Sequence, residues 1–339
     1  MARYLGVDLH RNNFTVCTIA ENGRRYFREY GIHSLNYFVA GLRPTDQVAV
    51  EASTTTRLFY DAVAPHVAHI AVVNSSEFDV IRKSVKKTDR KDAETLALFL
   101  SKGLLPEVRM KDKLQAELAS LTQTRDTLVK QRTSLKNKIN NIMAARALSP
   151  RREQLSSEKG LREVEALPLS PIVMAEVRAL VGQIRSLNAT IAELEKTIKQ
   201  EGQKLPGHKN LKSIKGIGDI SATILLSIIG DIDDFQSESK LASYFGIVPR
   251  VRSSNDTEHT GRITKRGTKL GRTTLVQCSL IAMRYSEYLQ RFYHRLARRR
   301  GKGKAIIALA KKFLGVIFRT LKNDWVFEDF PNFVIAQTP

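Results

Sequence analysis

Cysteine is nearly missing from this chain, with two in 339 residues, and tryptophan occurs once. Cys17 and Cys278 lack the clustered spacing of a zinc site or a disulfide framework, so a reducing, cytoplasmic compartment is expected. No run approaches the roughly 20 consecutive apolar residues of a membrane span. No signal-peptide pattern precedes the first apolar run, and no membrane partner is expected. Acid is also scarce: 34 Asp and Glu stand against 55 Lys and Arg, a formal net charge of +21. That excess points to a polyanionic partner, nucleic acid first. The seven histidines are scattered, and none has a metal partner at motif spacing.

Because acids are few, their placement is informative. Asp8 ends the apolar run Tyr-Leu-Gly-Val-Asp, and Glu51 ends Val-Ala-Val-Glu. Asp89 and Asp92 open a helical pattern and, three residues apart, share a helix face. Taken singly, Asp89 reads as a helix N-cap and Asp92 as a first-turn acid. A carboxylate at the end of a buried strand carries a desolvation cost, and several converging carboxylates repel one another. Divalent cations relieve both, and hard oxygen donors suit Mg²⁺. The surrounding segment predicts strands over 4–9, 14–20, 24–30, 48–51 and 70–73, with helices over 35–42 and 57–64. Asn22-Gly23 marks a hairpin. The order βββαβαβα, with acids at the ends of the first and fourth strands, resembles the ribonuclease H-like fold. Arg82, Lys83, Lys86, Lys87, Arg90 and Lys91 form a basic run beside the acidic pair.

Beyond it, Leu114, Leu118, Leu121, Leu128, Leu135, Ile139 and Ile142 follow a heptad in which Arg125 and Arg132 occupy seam positions. A cleaner heptad runs through Val177, Leu180, Ile184, Leu187, Ile191, Leu194 and Ile198. Alternating steps of three and four predict coiled-coil helices. Pro150, Gly160, Pro168 and Pro171 are expected to break the helix between them. Pairing within one chain and pairing between chains are equally compatible with this pattern.

The last third holds Leu211-Lys-Ser-Ile-Lys-Gly-Ile-Gly-Asp, which looks like a helix-hairpin-helix turning at Gly216 and Gly218. Amides at the following helix N-terminus would face a DNA phosphate. Ser253 and Ser254 are expected in a polar loop among Arg250, Arg252, Arg262, Lys265 and Arg266, cations suited to a scissile phosphate. Serine needs local activation to act as a nucleophile, and on chemistry alone either serine, or neither, fills that role. Arg295 and Arg298–Arg300, followed by Lys302 and Lys304, form the densest basic cluster, suited to phosphate contact. A helix over 305–321 and Trp325 beyond it are expected to complete the core.

Together, the acids Asp8, Glu51, Asp89 and Asp92, the Ile-Lys-Gly-Ile-Gly-Asp turn, and Phe-Gly-Ile-Val-Pro-Arg followed by Ser-Ser and Ile-Thr-Lys-Arg-Gly resemble the insertion-sequence-110 family of transposases. Piv-type DNA invertases are its relatives. The resemblance implies a RuvC-like DEDD domain over 1–110, coiled-coil helices over 111–204, and a mostly helical transposase domain over 205–339. It also implies a metal site binding Mg²⁺ and a nucleophilic serine five positions after the proline of the Pro-Arg motif, here Pro249 and Ser254. Asn255 follows, where family members commonly carry glycine. Expected partners are target and donor DNA, a structured bridge RNA, and further copies of the chain as a dimer or tetramer. A bacterial or archaeal cytoplasm, near the nucleoid, is the expected setting. The implied reaction is strand cleavage through a covalent phosphoserine, then strand exchange. Site-specific inversion, junction-resolving hydrolysis and a non-catalytic nucleic-acid scaffold are the rival readings.

Overall fold

The computed structural model describes residues 3–73, 78, 88–148, 154–254 and 257–333, with only the backbone described at 154, 252–254 and 257–260. Contacts divide the chain into two units, Met1–Met110 and Lys111–Pro339. The basic residues Arg82, Lys83, Lys86 and Lys87 lie outside the described residues, as do Pro150 and Asn255.

The first unit contains β1 (Tyr4–Leu9), β2 (Asn13–Ile19), β3 (Arg25–Gly31), α1 (Leu35–Ala40), β4 (Gln47–Glu51), α2 (Thr56–Val63), β5 (His69–Val73) and α3 (Asp89–Ser101). Its sheet has the order β3-β2-β1-β4-β5. β1 and β2, like β2 and β3, run antiparallel. β1, β4 and β5 run parallel. A strand alternates its side chains between two faces, and here both faces are covered. Leu5, Val7 and Leu9 of β1 join Val48 and Val50 of β4 in a core with Leu35, Phe38, Phe59 and Val63 of α1 and α2. Phe14 anchors it, stacked on Tyr30 at 5.2 Å and edge-on to Phe38 and Phe59 at 5.4 and 5.6 Å. Such pairs contribute about 1 kcal/mol each beyond area burial. The opposite face packs Ala49, Ala71 and Val73 against Leu96 and Leu100 of α3.

Gly6 sets the distance between α3 and β1. A Cβ there would lie 2.0 Å from the Ala93 carbonyl oxygen and 2.4 Å from the Ala97 nitrogen. Only a residue without a side chain lets the helix backbone rest on the strand at this point. The edge strand β3 is exposed along nearly its whole length and carries Arg25, Arg28 and Glu29, charges that discourage edge pairing.

In the second unit, α4 (Lys113–Ala144) and α6 (Pro171–Gly202) are each 32 residues long, about 48 Å at 1.5 Å per residue. They pair antiparallel within the chain. Arg125 Nη2 donates to Glu195 Oε1 at 2.5 Å, Arg132 Nη1 to Asn188 Oδ1 at 2.8 Å, and Lys138 lies 3.3 Å from Glu176. The two seam arginines thus reach the facing helix. Val177, Ile184, Ile191 and Ile198 are buried, while Leu180, Leu187 and Leu194 stay half-buried. Of the expected helix breakers, Pro171 begins α6, as suits a first-turn proline. Gly160 does not break a helix: it lies inside α5 (Glu158–Glu165), whose N-cap Ser157 accepts the Gly160 amide at 3.2 Å. Leu161 and Val164 of α5 close the end of the helix pair over Ile139, Met143 and Val181.

The remainder comprises α7 (His208–Ser213), α8 (Asp219–Ile229), α9 (Glu238–Tyr244), β6 (Pro249–Ser254), β7 (Thr257–Ile263), α10 (Lys269–Ala282), α11 (Glu287–Arg300) and α12 (Lys302–Lys322). α8 is buried at every residue from Ala222 to Ile229, and α12 contributes Leu309, Phe313 and Ile317 to the same core. Trp325 departs from expectation, being 47% exposed, while Phe330 beyond it is buried in the core, with Phe327 and Phe333 packed against it.

Candidate metal centre

Strand register places the first two acids side by side. Val7 of β1 pairs with Val50 of β4, so Asp8 and Glu51 follow on neighbouring strands. Two residues after Gly6, Asp8 emerges on the sheet face that α3 covers. The other two acids come from the start of α3, whose N-cap is Thr88, its Oγ1 accepting the Lys91 amide at 3.3 Å. The capping duty that Asp89 carries in its bland reading therefore falls to Thr88. Asp89 and Asp92 occupy the first turn. All four acids line one depression of about 350 Å³, together with Leu9, His10, Ala52, Ser53 and Thr88.

Electrostatics mark Asp8 as the unusual member. It is only 7% exposed. Burial pushes its carboxyl from 3.8 up to about 6. The His10 ring opposes that shift, while the charges of Asp89, Asp92 and Glu51 add to it. Asp46, also buried, offers a contrast. Arg3 grips it through two nitrogens at 2.9 and 2.6 Å, and the Arg43 amide donates at 2.8 Å, so its charge is matched inside the fold. Asp8 instead faces three further carboxylates. A buried anion among anions, with oxygen donors converging from two strands and a helix, suits a divalent cation.

The sequence reading passed over His10. Its Nε2 lies 3.3 Å from Asp8 Oδ2 and 3.4 Å from Asp89 Oδ2. The available signal was period: in an extended strand, a residue two after Asp8 returns to the same face.

The residues singled out in the last third lie in the second unit. Ser253 and Ser254 were expected in a loop, but their backbone ends strand β6. Ser253 is opposite Glu258 and Ser254 opposite Thr257 of β7. The side chains of Arg252, Ser253 and Ser254 lie outside the described residues. Arg250 Nη2 donates to the Thr264 carbonyl at 3.4 Å. Arg262, Lys265 and Arg266 are exposed. Lys265 sits at φ 56°, an uncommon conformation for a side-chain-bearing residue. Its amide is held by the Gly246 carbonyl at 3.0 Å. Arg272 Nη1 braces the same turn, donating to the carbonyls of Arg266 and Gly267, each at 2.9 Å.

Gly216, at φ 102°, packs rather than opening outward. A Cβ would meet the Ala282 nitrogen at 2.7 Å and the Cys278 carbonyl at 2.8 Å. Gly218 is exposed, but its amide donates to Ser221 Oγ at 2.9 Å. Asp219, in the first turn of α8, pairs with Lys212 at 2.7 Å. An ion pair therefore stands at this helix N-terminus beside its first amides. Arg298, Arg299 and Arg300 fill the exposed last turn of α11, where cations also favour the helix dipole. Among the described residues, no helix is long and apolar enough to cross a membrane.

Comparison with known proteins covers both units. Residues 5–145, which include all four acids, match the DEDD transposase model of IS110 elements. Residues 208–294, which include Gly216, Arg250 and Ser254, match the model of the IS116/IS110/IS902 transposase family. A transposase for insertion sequence element IS1111A from Coxiella burnetii is 27% identical over 94% of this chain and 89% of its own length. A transposase for element IS1328 from Yersinia enterocolitica is 26% identical over 84% of this chain and 85% of its own length. The pilin gene-inverting protein of Moraxella bovis is 25% identical over 96% of this chain and 97% of that protein. With residues 5–145 and 208–294 matched and most of its length shared with these proteins, the chain belongs to the IS110 family of transposases, recombinases that cut and rejoin DNA.

Proposed function

We propose that the first unit is a RuvC-like nuclease domain in which Asp8, Glu51, Asp89 and Asp92 hold Mg²⁺, and that Ser254 is the nucleophile of strand exchange. The observation that carries the metal half is the lining of one depression by all four acids, with Asp8 buried among the others. The strand order β3-β2-β1-β4-β5 supports the ribonuclease H-like reading. Bound there, a divalent cation polarises a phosphodiester and neutralises charge that develops on it. The serine half rests on Ser254 standing five residues after Pro249, at the end of β6.

Ser254 Oγ attacks phosphorus, giving up its proton. An Oγ–P bond forms as the bond to the leaving sugar oxygen breaks, and that oxygen takes up a proton. A second strand's sugar hydroxyl then reverses the step, so the phosphoserine ester conserves the bond and no external energy source is needed. Arg250, Arg262, Lys265 and Arg266 hold the phosphate backbone nearby, and Arg298–Arg300 bind nucleic acid outside it. We assign residues 1–110 to cleavage, 111–204 to assembly of a dimer or tetramer, and 205–339 to strand joining. The partners are donor and target DNA, with a structured bridge RNA as guide, in the cytoplasm of a bacterium or archaeon.

The test is a denaturing gel of labelled DNA incubated with wild type, Ser254→Ala and Ser253→Ala. A covalent band lost only in Ser254→Ala is expected. A band lost only in Ser253→Ala moves the assignment by one residue, and no band from wild type favours direct hydrolysis. Site-specific inversion is kept as a second reading because the likeness to the pilin gene-inverting protein spans 96% of the chain. Substrates with two inverted sites on one plasmid separate it from transposition.

A further inference from the structure

The carboxylates do not account for every donor in the depression. His10 follows β1, at the turn into β2, where its amide donates to the Asn13 carbonyl at 2.9 Å. This backbone bond fixes the root of the side chain, and the ring, 48% exposed, reaches in from the mouth towards Asp8, whose side chain is 10% exposed. Its Nε2 stands 3.3 Å from Asp8 Oδ2 and 3.4 Å from Asp89 Oδ2. One donor atom from each of the three lies within 4.8 Å of the other two.

That spacing is informative. Adjacent donors of an octahedral cation with bonds of about 2.1 Å are separated by about 3.0 Å. The two distances from Nε2 exceed this by a few tenths of an ångström, a difference within reach of side-chain torsions. If the ring served only as a counter-ion, one acid would satisfy it. Here a single nitrogen lies almost equidistant from a buried strand carboxylate and an exposed helix carboxylate, the arrangement of a third corner around a shared point. Glu51 and Asp92 remain on the same depression to hold the rest of the coordination shell or a second cation.

Resting on the reading of this depression as a metal centre, we propose that His10 Nε2 is a metal ligand, joining Asp8 and Asp89 in a mixed nitrogen and oxygen set that makes the centre favour Mn²⁺ over Mg²⁺. Mg²⁺ is a hard cation that takes oxygen donors and keeps its waters, whereas Mn²⁺, also at home among oxygen donors, is a transition-metal ion that accepts an imidazole nitrogen more readily. A purely carboxylate centre discriminates weakly between the two. One nitrogen donor shifts the preference towards Mn²⁺ while leaving oxygen donors for Mg²⁺.

The experiment uses the full chain freed of metal and titrated with Mn²⁺, with free and bound metal followed by electron paramagnetic resonance. Electron spin-echo envelope modulation then reads any nitrogen bonded to the bound Mn²⁺. Wild type is expected to show nitrogen modulation, and His10→Gln to lose it with a fall in Mn²⁺ affinity of roughly tenfold or more. Mg²⁺ affinity, read by competition, should change by less than about threefold, since its oxygen donors remain. Two controls guard the reading. His69→Gln removes another imidazole of this unit that pairs with an acid, Glu107, and should keep the modulation. A circular-dichroism melt shows whether His10→Gln is folded. Mn²⁺ bound without nitrogen modulation, and abolished by Asp8→Asn, overturns the role of His10 while leaving the carboxylate centre standing. Mn²⁺ binding indifferent to Asp8→Asn overturns the centre and the proposal with it.

Discussion

Replacing Asp8 by Asn should stabilise the metal-free protein, although the residue is buried and at the heart of the site. Its carboxyl is pushed from 3.8 up to about 6, mainly by burial and then by neighbouring acids. At about 1.4 kcal/mol per pKa unit, the ionised form costs the fold about 3 kcal/mol. The sign follows from linkage. A raised folded value means that the native state holds the proton more tightly than the unfolded chain. The favourable contribution is complete below pH 3.8 and is lost as pH rises through about 6. At pH 8 without metal, wild type carries the whole penalty, and Asp8→Asn, nearly the same shape and uncharged, does not. The expected result is a higher melting temperature for the variant in EDTA, on the order of 5 °C. The gap should narrow at pH 4.5 and close only below pH 3.8. Mg²⁺ at about 1,000 times Kd should reverse the order, because it adds about 4.1 kcal/mol to the protein that binds it, more than the penalty. Circular-dichroism melts of both proteins in three buffers suffice. Asp46→Asn is the control. It removes one half of a partly buried ion pair with Arg3 and should lose roughly 3 kcal/mol with or without metal. If Asp8→Asn behaves like Asp46→Asn, melting lower in EDTA, then Asp8 is a paired structural acid and the metal centre is misread.

Three further outcomes are expected. Gly6→Val places a branched side chain where a Cβ alone meets the Ala93 carbonyl at 2.0 Å, so α3 must move and Mn²⁺ binding should fall at least tenfold even where the protein still folds. Binding of duplex DNA should weaken with salt at a log–log slope near −0.9 per neutralised phosphate, and replacing Arg298, Arg299 and Arg300 with Ala should flatten that slope; an unchanged slope would remove α11 from the interface. Leu187→Asp with Leu194→Asp, both half-buried on α6, should lower the mass seen by light scattering, whereas a mass unchanged from wild type confines this stripe to the helix pair within one chain.

Much of the first unit was legible because its signals are local. The apolar runs 4–8 and 48–51 are short, end in acids and sit between turn residues. Each becomes a strand within a residue or two of its expected limits. The face shared by Asp89 and Asp92 needed only the helical period. The long helices were legible for the same reason, but their pairing was not. A heptad states that a stripe must be covered and is silent on what covers it. The two arginines that interrupt it are resolved only by the facing helix, where Glu195 and Asn188 stand opposite. The hairpin at 249–263 was missed because two adjacent serines and nearby charges carry the composition of a loop. Its pairing comes from the register of one strand on the other, which a reading of composition does not contain.

Gly6 and His10 went unread for a different reason, and the two are connected. A glycine in a strand ordinarily weakens it, and a histidine beside a loop is ordinarily incidental. Neither gains a role until a third element, beginning at Asp89, arrives from far along the chain. Once α3 lies on β1, Gly6 fixes how near it comes, and that distance decides whether Asp89 reaches the shared point between Asp8 and His10. The same contact explains why the acids of α3 follow a capping threonine rather than serving as caps. With Thr88 satisfying the helix amide, Asp89 is left to face the sheet. The site is therefore a property of the helix–strand distance. A substitution that only enlarged that distance should leave every acid present, exposed and uncrowded, and should lower the Asp8 carboxyl back towards 3.8. Titration of Gly6→Ala by carboxyl NMR reads this directly, and an Asp8 carboxyl still near 6 would show that α3 is not what crowds it.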